Sequence, residues 1–341
     1  MRNRYNLLQF NLFFTVLSKG KVSFRKLWNV FICSLKSLWQ SNRSANFPFI
    51  LSLELGNECN TSCLFCRDAE GKIYDINAKG DGVITKGKMP LDMALDAIEQ
   101  VKDDILIAVL YTNGEPLLYH DLPKVIKYAS GRKVATMISS NGLALNDRIG
   151  KEILEAGLDL IKIQLGGFTQ DVYGVQIRYG SVEKLKNNIR SFAELRNKGR
   201  YRTVILVDYI SYNYNRHQMP LVREFCNEIG VMFNTRPGNP KNGLEGKEPA
   251  LTTEELPLKI SCDWLWKGMQ VNWNGDILPC CEAVVWSNPI VYEKYQVGKT
   301  NLKEVWNSRS ATIMRDTMAT KGRGSMPMCE KCLRTGICFK W

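Results

Sequence analysis

"LSLELGNECNTSCLFCRD" spans residues 51–68 and places Cys59, Cys63 and Cys66 within eight residues, spaced C-x3-C-x2-C. The apolar opening reads as a buried strand, so the thiols fall on the loop at a strand's C-terminal end. An α/β protein builds its site at that end. Three close thiolates on one loop can each bind one iron of a four-iron cube and leave the fourth iron open. Zinc would want a fourth nearby ligand, which this loop lacks. Buried core thiols are not expected on a polar, Asn-rich loop.

A repeating rhythm extends outward from this loop. Apolar, β-rich runs occur at Phe49–Leu55, Ile105–Tyr111, Val134–Ser140, Leu158–Leu165, Val204–Ile210 and Val231–Asn234. Helical patterns separate most of them: Leu91–Val101, Leu122–Ser130, Asp147–Ala156, Val182–Asn197 and Met219–Glu228. Strands that are continuously apolar and alternate with helices indicate a parallel sheet covered on both faces. Six βα units are too few for an eight-strand barrel, so the expected fold is α/β, an open or partial (βα)6 TIM-like barrel.

The flanks differ from this core. Residues 1–48 hold eight Lys or Arg and no Asp or Glu, so they carry +8 of the net +12. They read as a basic, amphipathic helical extension broken near Gly20. Leu7, Leu8, Phe10, Phe13, Phe14 and Leu17 form its first apolar set; Trp28, Val30, Phe31, Leu35 and Leu38 form its second. Two readings stay open: an appendage packed on the main domain with solvated Lys and Arg, or a peripheral contact with an anionic membrane. No run is long enough to span a bilayer. The basic start lacks an uninterrupted apolar core and a cleavage site, so a cytoplasmic location is expected. The concentrated charge gives no footprint for nucleic acid. Eleven cysteines in such a chain read as metal ligands rather than bridges. Only His120 and His217 are present, against a His-rich metal site.

The cysteine motif, with Phe65 before Cys66, resembles that of the radical SAM superfamily. "YTNGEPLLY" resembles the family's Gly-Glu-Pro motif through Gly114, Glu115 and Pro116, which implies binding of the S-adenosylmethionine amino group. "SSNG", with Ser140 and Asn141, falls where members contact the ribose and carboxylate. "YGVQIRYGS" is similar to the family's tyrosine–arginine–glycine stretch and implies a forked bond from Arg178 to the cofactor carboxylate. One departure is Gln164-Leu165-Gly166-Gly167, where relatives often read Ser-x-Asp-Gly. The resemblance implies a 4Fe-4S cluster whose open iron is chelated by S-adenosylmethionine. It also implies one-electron cleavage to methionine and a 5′-deoxyadenosyl radical, hydrogen abstraction from a C–H bond, and a reductant such as flavodoxin or ferredoxin.

Residues 236–260, rich in Pro and Gly, read as a linker, dividing a core domain at 49–250 from a C-terminal domain at 251–341. "MQVNWNGDILPCC" reads as a hairpin turning at Asn274-Gly275, and "NLKEVWNSRSATIMRDTMA" as one helix. The tail resembles the SPASM/twitch extension, which implies one auxiliary iron–sulfur cluster on Cys262, Cys280, Cys329 and Cys332; a four-thiolate zinc ribbon fits the same spacing. Cys280 is preferred over Cys281 because four residues separate it from Gly275, as in the family's G-x4-C pattern. With Cys338 three residues from the last residue, a second auxiliary cluster is not expected. Cys33 and Cys226 read as ordinary buried thiols. The expected activity is radical oxidation of a small polar molecule such as a sugar or cyclitol alcohol. The alternatives are a peptide- or protein-modifying maturase and a non-catalytic iron–sulfur or zinc protein.

Overall fold

The structure, a computed structural model, describes residues 15–41, 46–63, 86–237, 262–281, 283 and 290–330. The strands are β1 (Ile50–Leu53), β2 (Ser62–Cys63), β3 (Ile107–Val109), β4 (Ala135–Ser140), β5 (Leu160–Gln164), β6 (Ile177–Arg178), β7 (Val204–Ser211), β8 (Met232–Pro237), β9 (Gly268–Val271), β10 (Asp276–Leu278) and β11 (Glu293–Lys294). Nine of them form one sheet in the order β11-β10-β9-β1-β3-β4-β5-β7-β8. Within this sheet every pairing from β1 through β3, β4, β5 and β7 to β8 is parallel, so the expected partial α/β barrel is present. Each expected strand run overlaps an observed strand, and the last two of these strands run on past their expected ends, to Ser211 and Pro237.

Side chains alternate across these strands, and the two faces bury different things. Leu51, Leu53, Ala108, Ile138, Ile161 and Val207 join the larger core beneath the helices. Ile50, Val109, Met137, Leu160 and Leu206 form a second cluster on the opposite face, the barrel lumen. Apolar residues on both sides make the strands read as continuous apolar runs. Further along the strands the lumen face changes character: Lys162, Gln164, Asp208 and Arg236 stand in register with its upper rungs. The lumen is therefore apolar where the strands begin and polar where they end.

The N-terminal segment closes the apolar end. Val16 and Cys33 join the lumen cluster. Asp159, fully buried just before β5, receives Lys19 Nζ at 2.9 Å, Lys21 Nζ at 2.6 Å and the Thr136 backbone N–H at 2.8 Å. Burial pulls the Lys21 pKa down, and Asp159 opposes it. The chain breaks at Gly20 (φ 65°) as expected and restarts at Ser23, whose side chain accepts from Lys26 N to cap the helix Phe24–Trp39. Which face of that helix packs corrects the sequence reading. Lys26, Asn29 and Cys33 are buried, while Trp28, Phe31 and Leu38 are exposed. Asn29 Nδ2 donates to the carbonyls of Phe47 and Asp104, and Lys26 Nζ to that of Lys133. The open backbone carbonyls at the strand starts recruit polar side chains; of the expected apolar set Val30 packs against the lumen cluster and Leu35 is half-buried, while Trp28, Phe31 and Leu38 are left outside. The first apolar set lies outside the described residues except Leu17, which is exposed.

The C-terminal region continues the sheet. β9 pairs in parallel with β1 on the side opposite β3. The hairpin forms where expected: Gly275 has φ 86°, and β10 pairs antiparallel with β9 before the chain reaches Cys280. The single helix expected at 301–319 is two, Leu302–Trp306 and Arg309–Lys321, because Ser308 accepts from Ala311 N and starts a new helix. Most of the expected linker, residues 238–260, lies outside the described residues. Cys33 and Cys226 are buried as expected, and burial pushes each thiol up to about 12.

Removing Asp159 strands the buried Lys21. Asp159→Ala should cost about 3 kcal/mol of unfolding free energy in chemical denaturation. Lys19→Met, which removes a partly exposed partner, should cost clearly less.

Candidate active site

The cysteine loop leaves the C-terminal end of β1, at the polar end of the lumen. Thr61 is buried at its centre, and its hydroxyl lies 3.3 Å from Cys59 Sγ and 3.6 Å from Cys63 Sγ. Both thiols are partly exposed. Cys66 lies outside the described residues. β2, which contains Cys63, pairs antiparallel with β6, so Ser62 stands opposite Arg178. The motif on the loop and the arginine far along the chain thus share one ladder.

Glu115 ties this loop to its neighbours. Its side chain is buried, with Oε1 accepting from Ser140 Oγ at 2.7 Å and Leu117 N at 3.1 Å, and Oε2 accepting from Asn141 N at 2.7 Å. Burial pushes the carboxyl up to about 7, against the pull of those three donors. Its own backbone N–H donates to Glu58 O at 2.8 Å. Asn141 Nδ2 then reaches Asn60 Oδ1 at 2.7 Å and Cys59 Sγ at 3.7 Å. Gly114 is required by contact: a Cβ there would lie 2.2 Å from Gly56 O. Pro116 opens the short helix Pro116–Leu118 that carries the chain away from the site. Gly114, Glu115, Ser140 and Asn141 are therefore brought together beside the loop that carries Cys59, while Pro116 leads the chain away. The carboxylate of Glu115 is engaged by the chain itself, as a brace between the ends of β3 and β4.

Further residues complete the mouth: Tyr173, Gln176 and Gln164 lie within motif stretches already quoted, whereas Lys162, Asp208 and Arg236 lie outside them. Tyr173 is fully buried, and its ring oxygen has no hydrogen-bond partner among the described residues. Gln176 Oε1, at the end of the helix Gln170–Gln176 that precedes β6, accepts from Gln164 Nε2 at 3.4 Å and ties that helix to the end of β5. Asp208 stands opposite Gln164 in the next strand. Its carboxylate meets Arg236 Nε at 3.0 Å, Asn234 Nδ2 at 2.7 Å and Lys162 Nζ at 3.8 Å. Burial opposes its charge, yet Arg236 and Lys162 together hold the carboxyl below its ordinary range. Lys162 also lies 5.5 Å from the centre of the Tyr111 ring. The available sequence signal was charge inside a strand run that is otherwise apolar.

Cys262 and Cys280 both pack against the larger core, of which Cys329 is a member. Cys280 is flanked by Cys281, Cys262 and Cys329, and burial together with these neighbours pushes its thiol far up. Cys332 lies outside the described residues. Among the described residues, no three His, Cys, Asp or Glu side chains already surround a metal position. The donor chemistry of both sets nevertheless fits iron–sulfur clusters, since their ligands are soft sulfurs that bind once deprotonated. Arg178 Nη1 is buried without a hydrogen-bond partner among the described residues, as suits an arginine awaiting a carboxylate.

Two outcomes follow from this geometry. Gly114→Ala must push the Gly56–Glu58 backbone aside, so it should reduce iron retained after anaerobic reconstitution. Glu115 carries a proton in the folded state from about pH 4.5 to about 7, where the unfolded carboxyl has lost it. Stability therefore falls as pH rises through that window. Glu115→Gln should flatten the fall, read as the denaturation midpoint of the cluster-free protein against pH.

Comparison with known proteins agrees with the geometry. The radical SAM superfamily model matches residues 53–219, and the SPASM model, an iron–sulfur cluster-binding domain, matches residues 262–333. The probable GTP 3′,8-cyclase of Methanocaldococcus jannaschii is 24% identical over 184 residues, covering 54% of this chain and 56% of that protein. The chain thus spans little more than half the length of such curated relatives. Streptococcus suis SuiB bound to S-adenosylmethionine superposes with a TM-score of 0.58 at 15% identity, over 79% of this chain and 68% of that one. BtrN in complex with AdoMet and 2-DOIA gives 0.52 at 15% identity, over 85% and 94%. At such identities these structures speak for the fold. The chain belongs to the radical SAM superfamily, with a SPASM iron–sulfur cluster-binding domain following its partial barrel.

Proposed function

We propose that this protein abstracts hydrogen from a small polar molecule, such as a sugar or cyclitol alcohol, held in the polar end of the barrel lumen. When bound, the 4Fe-4S cluster and S-adenosylmethionine supply a 5′-deoxyadenosyl radical. Cys59, Cys63 and Cys66 hold the cluster. Arg178 takes the cofactor carboxylate, Gly114–Pro116 frames its amino group, and Ser140 and Asn141 fix the third wall. Cys262, Cys280, Cys329 and Cys332 hold the auxiliary cluster. A reductant such as flavodoxin or ferredoxin provides the electron.

The observation that carries the substrate reading is the group Lys162–Asp208–Arg236. Its members stand on the lumen face at the same strand ends as the cofactor residues. An anchored carboxylate between two cations offers hydroxyl groups both donors and an acceptor at fixed positions. The apolar layer below closes the lumen to water, which protects a radical. A second reading, a peptide-modifying maturase, draws on neighbours solved with peptides: SuiB with its precursor SuiA, and anSMEcpe with Cp18Cys.

Reconstituted protein with dithionite and S-adenosylmethionine should release 5′-deoxyadenosine, measured by chromatography. Cys59→Ala, Cys63→Ala and Cys66→Ala should each abolish it; turnover by any one refutes the cluster assignment. Deuterium should pass into 5′-deoxyadenosine from a carbon-deuterated polyol, and Asp208→Asn should cut that transfer about tenfold or more while leaving cofactor cleavage. Transfer from a deuterated peptide alone would overturn the small-molecule reading and leave the radical chemistry standing.

A further inference from the structure

We propose that the helix Phe24–Trp39 is a docking surface for an anionic lipid bilayer, which it meets at the barrel end opposite the cysteine loop. Phe24, Leu27, Trp28, Phe31, Leu38 and Trp39 fall on one stripe, at helical spacing. All are exposed, from 41% for Leu27 to 83% for Phe24. The Phe24 and Trp28 rings lie 6.5 Å apart and the Trp28 and Phe31 rings 5.6 Å apart, so the stripe is continuous. Exposed Leu17 lies in the preceding turn.

The helix cannot hide this stripe by turning. Its other face is fixed to the strand starts by Lys26, Asn29 and Cys33, as described above. A contiguous apolar patch held outward is the mark of an interaction surface. The chemistry of the stripe selects the partner. Two tryptophans and two phenylalanines among leucines suit the boundary between headgroups and acyl chains.

Charge selects it further. Residues 1–48 contain no Asp or Glu, but Lys19 and Lys21 are paired with Asp159 and Arg25 with Asp104, so among the described residues the free charge at this end comes from the barrel itself. Lys133, Arg200 and Arg202 are exposed at the same end of the barrel. Lys133 offers its carbonyl to Lys26, and Arg202 Nη1 donates to Ser18 O at 3.2 Å, so both border the N-terminal segment. Cations beside an apolar stripe attract anionic headgroups. In this orientation the cofactor end of the barrel faces away from the bilayer.

The test is co-sedimentation of the full chain with phosphatidylcholine vesicles, with and without about one-third phosphatidylglycerol. Binding should require the anionic lipid and weaken with salt. Trp28→Ser with Phe31→Ser should lower the bound fraction about tenfold, with the circular dichroism spectrum unchanged. Lys133→Glu with Arg200→Glu should lower binding to the anionic vesicles while keeping the stripe intact. Equal binding to both vesicle types, no binding to either, or binding indifferent to the stripe variant overturns the proposal. So does light scattering that finds a dimer which Trp28→Ser with Phe31→Ser converts to monomer, because the stripe then joins two copies of the chain.

Discussion

The buried carboxylate of Glu115 is the interaction on which the site depends. It joins the ends of β3 and β4 through Ser140 and Asn141, and Asn141 in turn touches the loop that carries Cys59. Gly114 allows this by letting two backbones approach more closely than any side chain would permit. A carboxyl without water is costly unless its oxygens are satisfied, and here three donors from its own chain satisfy them. The cysteine loop is thus held by strand ends rather than left to its own conformational freedom. That is how a loop can present the sulfurs of Cys59 and Cys63 at set positions.

The barrel divides its lumen between two tasks. The apolar rungs at the strand starts close one end, with the N-terminal segment as a plug locked by Asp159. The polar rungs at the strand ends carry Lys162, Asp208 and Arg236. The same alternation of side chains produces both, since each lumen-facing position lies two residues above the last. Apolar burial dominates one end, where the buried carboxylate of Asp159 fixes the plug, and the lumen-facing charges lie at the other.

Strands, helices and cysteine spacing were legible because each is a local pattern. The Phe24–Trp39 helix was legible too, but its orientation was not. Periodicity identified an apolar face, and burial was the natural inference. The structure buries Lys26 and Asn29 instead, because unpaired carbonyls at Phe47, Asp104 and Lys133 lie beneath them. No window of sequence contains those carbonyls. The break at Ser308 was locally readable as a capping residue but was masked by apolar periodicity on both sides.

The sequence by itself determined the α/β class, the loop that carries Cys59, Cys63 and Cys66, and the family, because these rest on residue type and short spacing. Only the tertiary structure decided that Ile177–Arg178 pairs with Ser62–Cys63, that β9 extends the barrel sheet beside β1, and that Asp208 gathers Lys162 and Arg236. Each of these joins residues dozens to hundreds of positions apart. Such contacts are chosen by the closure of the sheet as a whole, and no local preference of the chain encodes them.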